Sequence, residues 1–426
     1  MSSQQNSFVL KGNICYSVDS QTVFCGESCY AVCADGLSAG VFHELPEQFS
    51  NLPVYDFGDS VVIPGLTDLH THAPQFGNRG MAIDLQLLDW LNTYTFPEET
   101  KFADLEYARH AYGMFVRELK QGATTRACIF ATVHVPATVL LMDELERSGL
   151  CTYVGKVNMD RNSPEGLVES TADSIAGTIT WLEQIEGRYS RTKPMLTPRF
   201  VPSCTDELLQ ELGHIAAQYQ LPVQSHLSEN QSEIAWVKEL CPWAETYGHA
   251  YEKWGLFGNT PTIMAHCVWC PDAEIELMKK GGVMIAHSPA SNQNLSSGIA
   301  PAKKYLNDGL KIGLATDLSA GESSSILKAM SDAIAVSKLR WRYVDEQTPP
   351  LTMEEAFYMG TIGGGSFFGK VGSFEAGYEF DAVVIDDHDL VHPQELNLHQ
   401  RLERIIHLSE QCHVVKKYVH GREIFP

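Results

Sequence analysis

The chain runs to 426 residues, 44% of them hydrophobic and 20% charged, with a formal net charge of −22. That length exceeds one small core and points to two domains, or three, of an ordinary soluble composition. The acidic balance argues against nucleic acid or an anionic membrane as partner, because both attract basic surfaces.

No uninterrupted apolar run reaches the roughly 18 residues of a membrane span. The opening "MSSQQNSFVLK" lacks the basic start and apolar core of a secretory leader. Residues 8–62 read as short β segments with turns: "FVLKGNICYSV", "YAVCADG" and "VYDFGDSVVIP". In "VFCGESCYAVCADG", Cys25, Cys29 and Cys33 recur at every fourth residue, which strand alternation sets in a row on one face. Cys267 and Cys270 form a C-x-x-C. Neither set has the partner pair a zinc site needs, and eleven scattered cysteines fit reduced thiols in a cytoplasm.

From Leu66 the pattern changes to short apolar strands alternating with longer helical stretches. After a first strand near Val61–His70, the candidates are "TTRACIFAT" (124–132), "TYVGKVNMD" (152–160), "PMLTPRFV" (194–201) and "PVQSHLS" (222–228). "TIMAHCV" (262–268), "GVMIAHSP" (282–289) and "IGLATDLS" (312–319) bring the total to eight. Amphipathic stretches such as "DELLQELGHIAAQYQ" (206–220) and "DAEIELMKKGG" (272–282) lie between them. This α/β alternation predicts a (β/α)8 TIM barrel over 66–375, with a doubly wound open sheet as the runner-up. "GSFEAGYEFDAVVID" and "VVKKYVHGREIF" return to β character, so residues 1–65 and 376–426 are expected to pair as a small β-sandwich domain. "GGGSFFG" (363–369) follows a helical segment and suits a helix end rather than a phosphate cradle.

Chemistry-bearing residues collect where these strands end. His70 and His72 in "PGLTDLHTHAPQF" are two residues apart, so a strand projects both imidazoles to one side. Alone, that pair fits either two metal ligands or two hydrogen-bonded histidines. Later strands end in His226, His266, His287 and Asp317. In a barrel, strand C-termini converge on one face, and imidazoles with a carboxylate suit Zn²⁺ or Fe²⁺. Glu229, three residues past His226, is placed either to move protons at such a centre or to start a helix.

"VIPGLTDLHTH", "SHLSEN", "MAHC", "GLATD" and the closing "GKVGSFEAGYEFDAVVID" resemble the amidohydrolase superfamily of metal-dependent barrels, essentially end to end. "HAPQF", "IDLQLLDWLNTYTFPEE", "YVGKVNMDRNSP", "TPRFVPSC", "QSHLSEN" and "HSPASNQNLSSG" resemble the branch of it that deaminates guanine. The resemblance implies hydrolytic deamination of guanine to xanthine and ammonia by a metal-activated water. It implies that His70, His72, His226 and Asp317 hold one metal, with zinc expected and Fe²⁺ the second choice. His266 would hydrogen-bond the attacking water or serve as a further ligand, Asp317 would help take up its proton, and Glu229 would shuttle protons. Gln75, Arg199 and Phe200 would bind the purine, beside His226, Glu229 and Asp317. A homodimer in the cytoplasm is the further expectation.

An arginine fork suits the O6 and N7 acceptors of guanine, and a phenylalanine suits its ring face. Arg199 also fits an internal ion pair, and Phe200 an ordinary core position. Trp90 sits on an apolar helical pattern, as core or as a wall of the site, while His287 and Asn292 would shape the site from behind. Lys156 would matter if a carboxylated lysine bridged two metals, but it falls on the third strand, and the fourth ends in "TPRF", which favours one metal. Competing readings are a relative acting on a thioether nucleoside, pterin or triazine, and a non-enzymatic scaffold, which predicts missing ligands. The other zinc deaminase fold needs H-x-E with P-C-x-x-C, and "CVWC" lacks both the proline and the H-x-E.

Overall fold

In the computed structural model of the chain, residues 7–425 are described. The first six, part of the segment read as leaderless, lie outside that range. Strands β1 (Phe8–Ser17), β2 (Val23–Ala34), β3 (Leu37–Phe42) and β4 (Val54–Pro64) open the chain. Then come β5 (Leu66–His72), β6 (Thr124–Phe130), β7 (Cys151–Gly155), β8 (Val157–Asn158), β9 (Thr192–Pro194) and β10 (Thr197–Pro198). They are followed by β11 (Val223–Leu227), β12 (Thr262–His266), β13 (Met284–His287) and β14 (Lys311–Leu314). β15 (Ala382–Asp386), β16 (His413–Val419) and β17 (Arg422–Glu423) close it.

β5, β6, β7 and β9 form one parallel four-stranded sheet, and β11 to β14 form another. Both follow chain order, without the reversal a doubly wound sheet requires. Helices connect the parallel strands and cover them, as such crossovers must. One, Asp206–Tyr219, begins where Thr205 accepts the Leu208 N–H and ends on Gln220 at φ 52°. The sheets meet at a Leu196–Val223 bridge, where Gln224 N donates to Leu196 O at 2.9 Å. Beyond β14, Asp317 N donates to His70 O at 2.8 Å and His72 N to Leu318 O at 3.0 Å. There the buried Asp68 carboxylate accepts from Thr316 Oγ at 2.5 Å, tying the two chain segments that carry the site.

The segment 194–201 is not one strand. It breaks into β9 and β10 where the chain changes partner, Met195 N donating to Val154 O and Leu196 N to Pro222 O, each at 2.9 Å. β10 instead pairs with the short β8, next to Gly155, where a Cβ would lie 1.7 Å from Thr197 Oγ1. Only glycine permits that approach.

The chain ends join through one continuous seven-stranded ladder, ordered β17-β16-β15-β4-β1-β2-β3, which curls until Phe8 on β1 and Tyr418 on β16 bring their rings within 5.0 Å. β4 lies between β1, to which it is parallel, and β15, to which it is antiparallel, so the termini meet edge to edge. The predicted cysteine row is also broken. Cys29 pairs with Gly12, but Cys25 pairs with Cys15 after a register shift, with Ser28 at φ 49°. That bulge sends Cys29 and Cys33 into a cluster with Phe8, Leu10 and Phe380, and turns Cys25 towards the larger core. Among the described residues the cysteines form no disulfide. Arg126 on β6 fixes this sheet to the rest through Asp381 (2.7 Å) and Glu379 (2.6 Å).

Candidate active site

His70 and His72 leave the end of β5 on one side, both almost fully buried. Their Nε2 atoms are 3.2 Å apart, and Asp317 Oδ1 lies 3.1 Å from the first and 3.4 Å from the second. His226, on β11, brings its ring centroid within 4.8 Å of His70 and 5.4 Å of His72. Its Nδ1 is tied to the carbonyl of Arg199 at 2.6 Å, which leaves Nε2 for the centre. His266 ends β12 at φ 72°, and Asp317 follows β14 at φ 47°. Both are non-glycine residues in the left-handed region, a costly backbone that turns these side chains inward.

Ligand atoms of His70, His72 and Asp317 lie within 4.8 Å of one another, as do those of His70, His226 and His266. Burial, the largest cause for each, holds His72 and His226 well below the ordinary imidazole range and also lowers His70. The rings are therefore neutral donors of lone pairs. Burial alone would raise Asp317, but His70 and His266 outweigh it and keep the carboxyl well below the usual range. Lone pairs facing each other at 3.2 Å beside a carboxylate lack hydrogens enough to satisfy them all, and His266 Nε2 is buried without a hydrogen-bond partner. A divalent cation is what this donor set fits.

Glu229 stands beside the cluster, with Oε2 at 3.4 Å from His266 Nε2 and Oε1 accepting from Ser297 Oγ at 3.2 Å. Burial, then the charge of Asp317, pushes its carboxyl up to about 8, a value suited to moving protons near neutrality. Behind it, Glu233 accepts the Glu229 N–H at 3.0 Å while capping the helix Gln231–Leu240. Nδ1 of His266 meets Oδ1 of Asn292 at 3.0 Å. His287 is buried without a hydrogen-bond partner, and burial lowers it to about 4.

One hollow joins the cluster to the predicted purine readers. His72, His226, Glu229, His266 and Asp317 line one part of it, and Gln75, Arg199, Phe200 and Trp90 another. Leu87, Leu91, Leu295 and Ala320 complete the wall. Trp90 serves in both of its expected capacities, packed among Leu87, Phe96 and Met159 and bordering the hollow. Arg199 is likewise both a wall residue and an ion-pair residue. Its Nη1 and Nη2 donate to Glu99 Oε2 and Oε1 at 2.5 and 3.0 Å. Gln75 Nε2 donates to the same Oε1 at 2.9 Å. Lys156, between β7 and β8, is held elsewhere, by Glu169 at 2.8 Å.

Glu99 is the residue the sequence reading missed. It lies within "TFPEE", on the short helix Phe96–Thr100, where no local signal separates it from its neighbour Glu98. Its partners stand 24 and 100 positions away.

The sequence model of the amidohydrolase family matches residues 61–424. A guanine deaminase of Dictyostelium discoideum is 41% identical over 379 residues, covering 87% of this chain and 84% of that one. One from Escherichia coli is 32% identical over 392 residues, covering 90% and 86%. The solved guanine deaminase of C. acetobutylicum, with guanine bound in its active site, superposes with a TM-score of 0.95 at 46% identity, covering 98% of this chain and 100% of that one. With such a match from β4 to the last strand, built around a buried histidine–aspartate cluster, the chain belongs to the amidohydrolase family.

Proposed function

We propose that this chain hydrolyses guanine to xanthine and ammonia. The observation that carries the reading is the shared hollow: Gln75, Arg199 and Phe200 open onto the same space as Glu229 and the histidine–aspartate cluster. Arg199 donates to O6 and N7 of the purine, Phe200 packs on its face and Gln75 reaches its edge. That places C2, with its amino group, towards Glu229.

His70, His72, His226 and Asp317 would hold one divalent cation, zinc by choice of donors, with His266 close enough to orient the incoming water. Such a cation, when bound, lowers the pKa of water and so supplies a nucleophile near neutral pH. Water adds at C2, and its protons pass to Asp317 and Glu229. Glu229 delivers its proton to N3, which carries the electron pair released by the addition, and the proton taken up by Asp317 goes to the departing amino nitrogen, so both carboxylates are regenerated. Breaking the C2–N bond then yields ammonia and the carbonyl of xanthine. Burial keeps bulk water from competing for the reader's hydrogen bonds.

The same proposal includes closure of the two parallel sheets into one (β/α)8 barrel over residues 66–375, resting on the bonds at both seams. Residues 1–65 and 376–426 then form the small domain. A cytoplasmic homodimer completes the reading. Its test is a panel of guanine, adenosine thioethers, a pterin and a triazine, with zinc-loaded protein and ammonia as readout. Release from guanine alone supports it; release only from another heterocycle refutes it.

A further inference from the structure

Behind the purine-reading wall, one carboxylate decides which hydrogen-bonding groups the wall can show. Glu99 does not line the hollow, and only 2% of its surface is exposed. It accepts from both terminal nitrogens of Arg199 and from the amide nitrogen of Gln75. At the other end of that amide, the peptide N–H of Ser319 donates to Gln75 Oε1 at 3.4 Å.

The Gln75 amide is therefore fixed from both ends. Turned over, it would set its oxygen against the Glu99 carboxylate and its NH₂ against the Ser319 N–H, two repulsive contacts in place of two bonds. Of the five N–H groups of a guanidinium, Arg199 spends two on Glu99, and the rest have no protein acceptor among the described residues. The Gln75 carbonyl is thus held towards Ser319, and the hydrogen-bonding groups left free on Arg199 are all N–H.

We infer that Glu99 is a positioning residue that makes this wall donor-only, and that it thereby selects 6-oxo purines over 6-amino purines. Guanine offers acceptors at O6 and N7, whereas a 6-amino group sets a donor against the donors of the wall. A buried site built around one hydrogen-bonding pattern strongly rejects the opposite pattern, because its own polar groups are left unpaired. Without the carboxylate, Gln75 is free to turn and offer its carbonyl to an amino group. The inference rests on the guanine reading above and adds the origin of its selectivity.

The test compares wild type, Glu99→Gln and Glu99→Asp. For each, KM and kcat on guanine are measured with the inhibition constant of 2,6-diaminopurine, the metal content and a thermal melt. For Glu99→Gln, KM for guanine rises about 10- to 100-fold while kcat and metal content change far less. The preference for guanine over 2,6-diaminopurine falls at least about tenfold. Equal weakening of both purines, or an unchanged preference, overturns the inference and leaves Glu99 a structural ion-pair residue. If Glu99→Gln does not fold, Glu99→Asp carries the test: a reduced preference supports the inference, and a wild-type preference overturns it. Wild-type protein that releases no ammonia from guanine removes the functional reading and this inference together. Normal wild-type turnover with unchanged variant preference removes only the inference.

Discussion

The carbonyl oxygen of Arg199 lies 2.6 Å from Nδ1 of His226, while the guanidinium of the same residue lines the hollow beside that imidazole. One residue thus orients a candidate ligand through its main chain and lines the hollow, as the proposed purine reader, through its side chain. Because the two tasks use different atoms, a side-chain change should separate them.

Arg199→Lys keeps a cation opposite Glu99 and keeps the carbonyl, but loses the planar fork. KM for guanine should rise about 10- to 100-fold. Metal content should stay at the wild-type level, because His226 remains tied to the backbone. Steady-state kinetics and elemental analysis check the two halves; a variant that loses its metal would show that the side chain also holds the cluster together.

Glu229→Gln removes the group placed to move protons and preserves its shape. The variant should keep its metal and bind guanine, yet lose about 10²- to 10⁴-fold in kcat. Ammonia release read beside a guanine-binding titration decides this, and near-normal turnover would rule out the assigned shuttle.

Asn292→Ala takes away the partner that faces His266 Nδ1 at 3.0 Å. Loss of such an outer partner typically costs 10- to 100-fold in affinity or activity, and here kcat should fall by about tenfold or more with KM little changed. An unaltered kcat would mean that packing alone orients the ring.

A pH effect should appear away from the site. Glu379 is held at about 2, chiefly by the His420 imidazole, whose Nδ1 lies 3.2 Å from Oε2, against desolvation and with help from Arg126. A carboxyl whose pKa is depressed by folding stabilises the fold above its unfolded value near 4.5, and that stabilisation is lost as pH falls towards 2. Glu379→Gln should therefore lower the melting temperature at pH 7, with the gap to wild type closing between about pH 4.5 and pH 2.5. Melts of both proteins across that range provide the check, and a gap that stays constant would contradict the assignment.

What the sequence disclosed follows from how local each feature is. Strand alternation was enough to aim His70 and His72 together, and strand ends were enough to locate His226, His266, His287 and Asp317, because both depend on a few consecutive residues. The break between β9 and β10 is a change of partner strand at Met195–Leu196, which the apolar run does not mark, so the run reads as one strand. The bulge that turns Cys25 away from Cys29 adds one residue to a ladder, and no composition signal marks it. Glu99 is of another kind: its role exists only once a helix near residue 99, the segment after β5 and the loop after β10 meet. Alternation and spacing cannot report such a meeting. The small domain was legible as β-rich, but not that β4 would join its halves in one sheet.

The central claim is tested most directly by incubating guanine with zinc-loaded protein and following xanthine and ammonia together, before and after removal of the metal by a chelator. The account predicts equal amounts of the two products, lost on chelation and restored by zinc. Folded, zinc-loaded protein that leaves guanine intact, or turns it over equally well without metal, would contradict it.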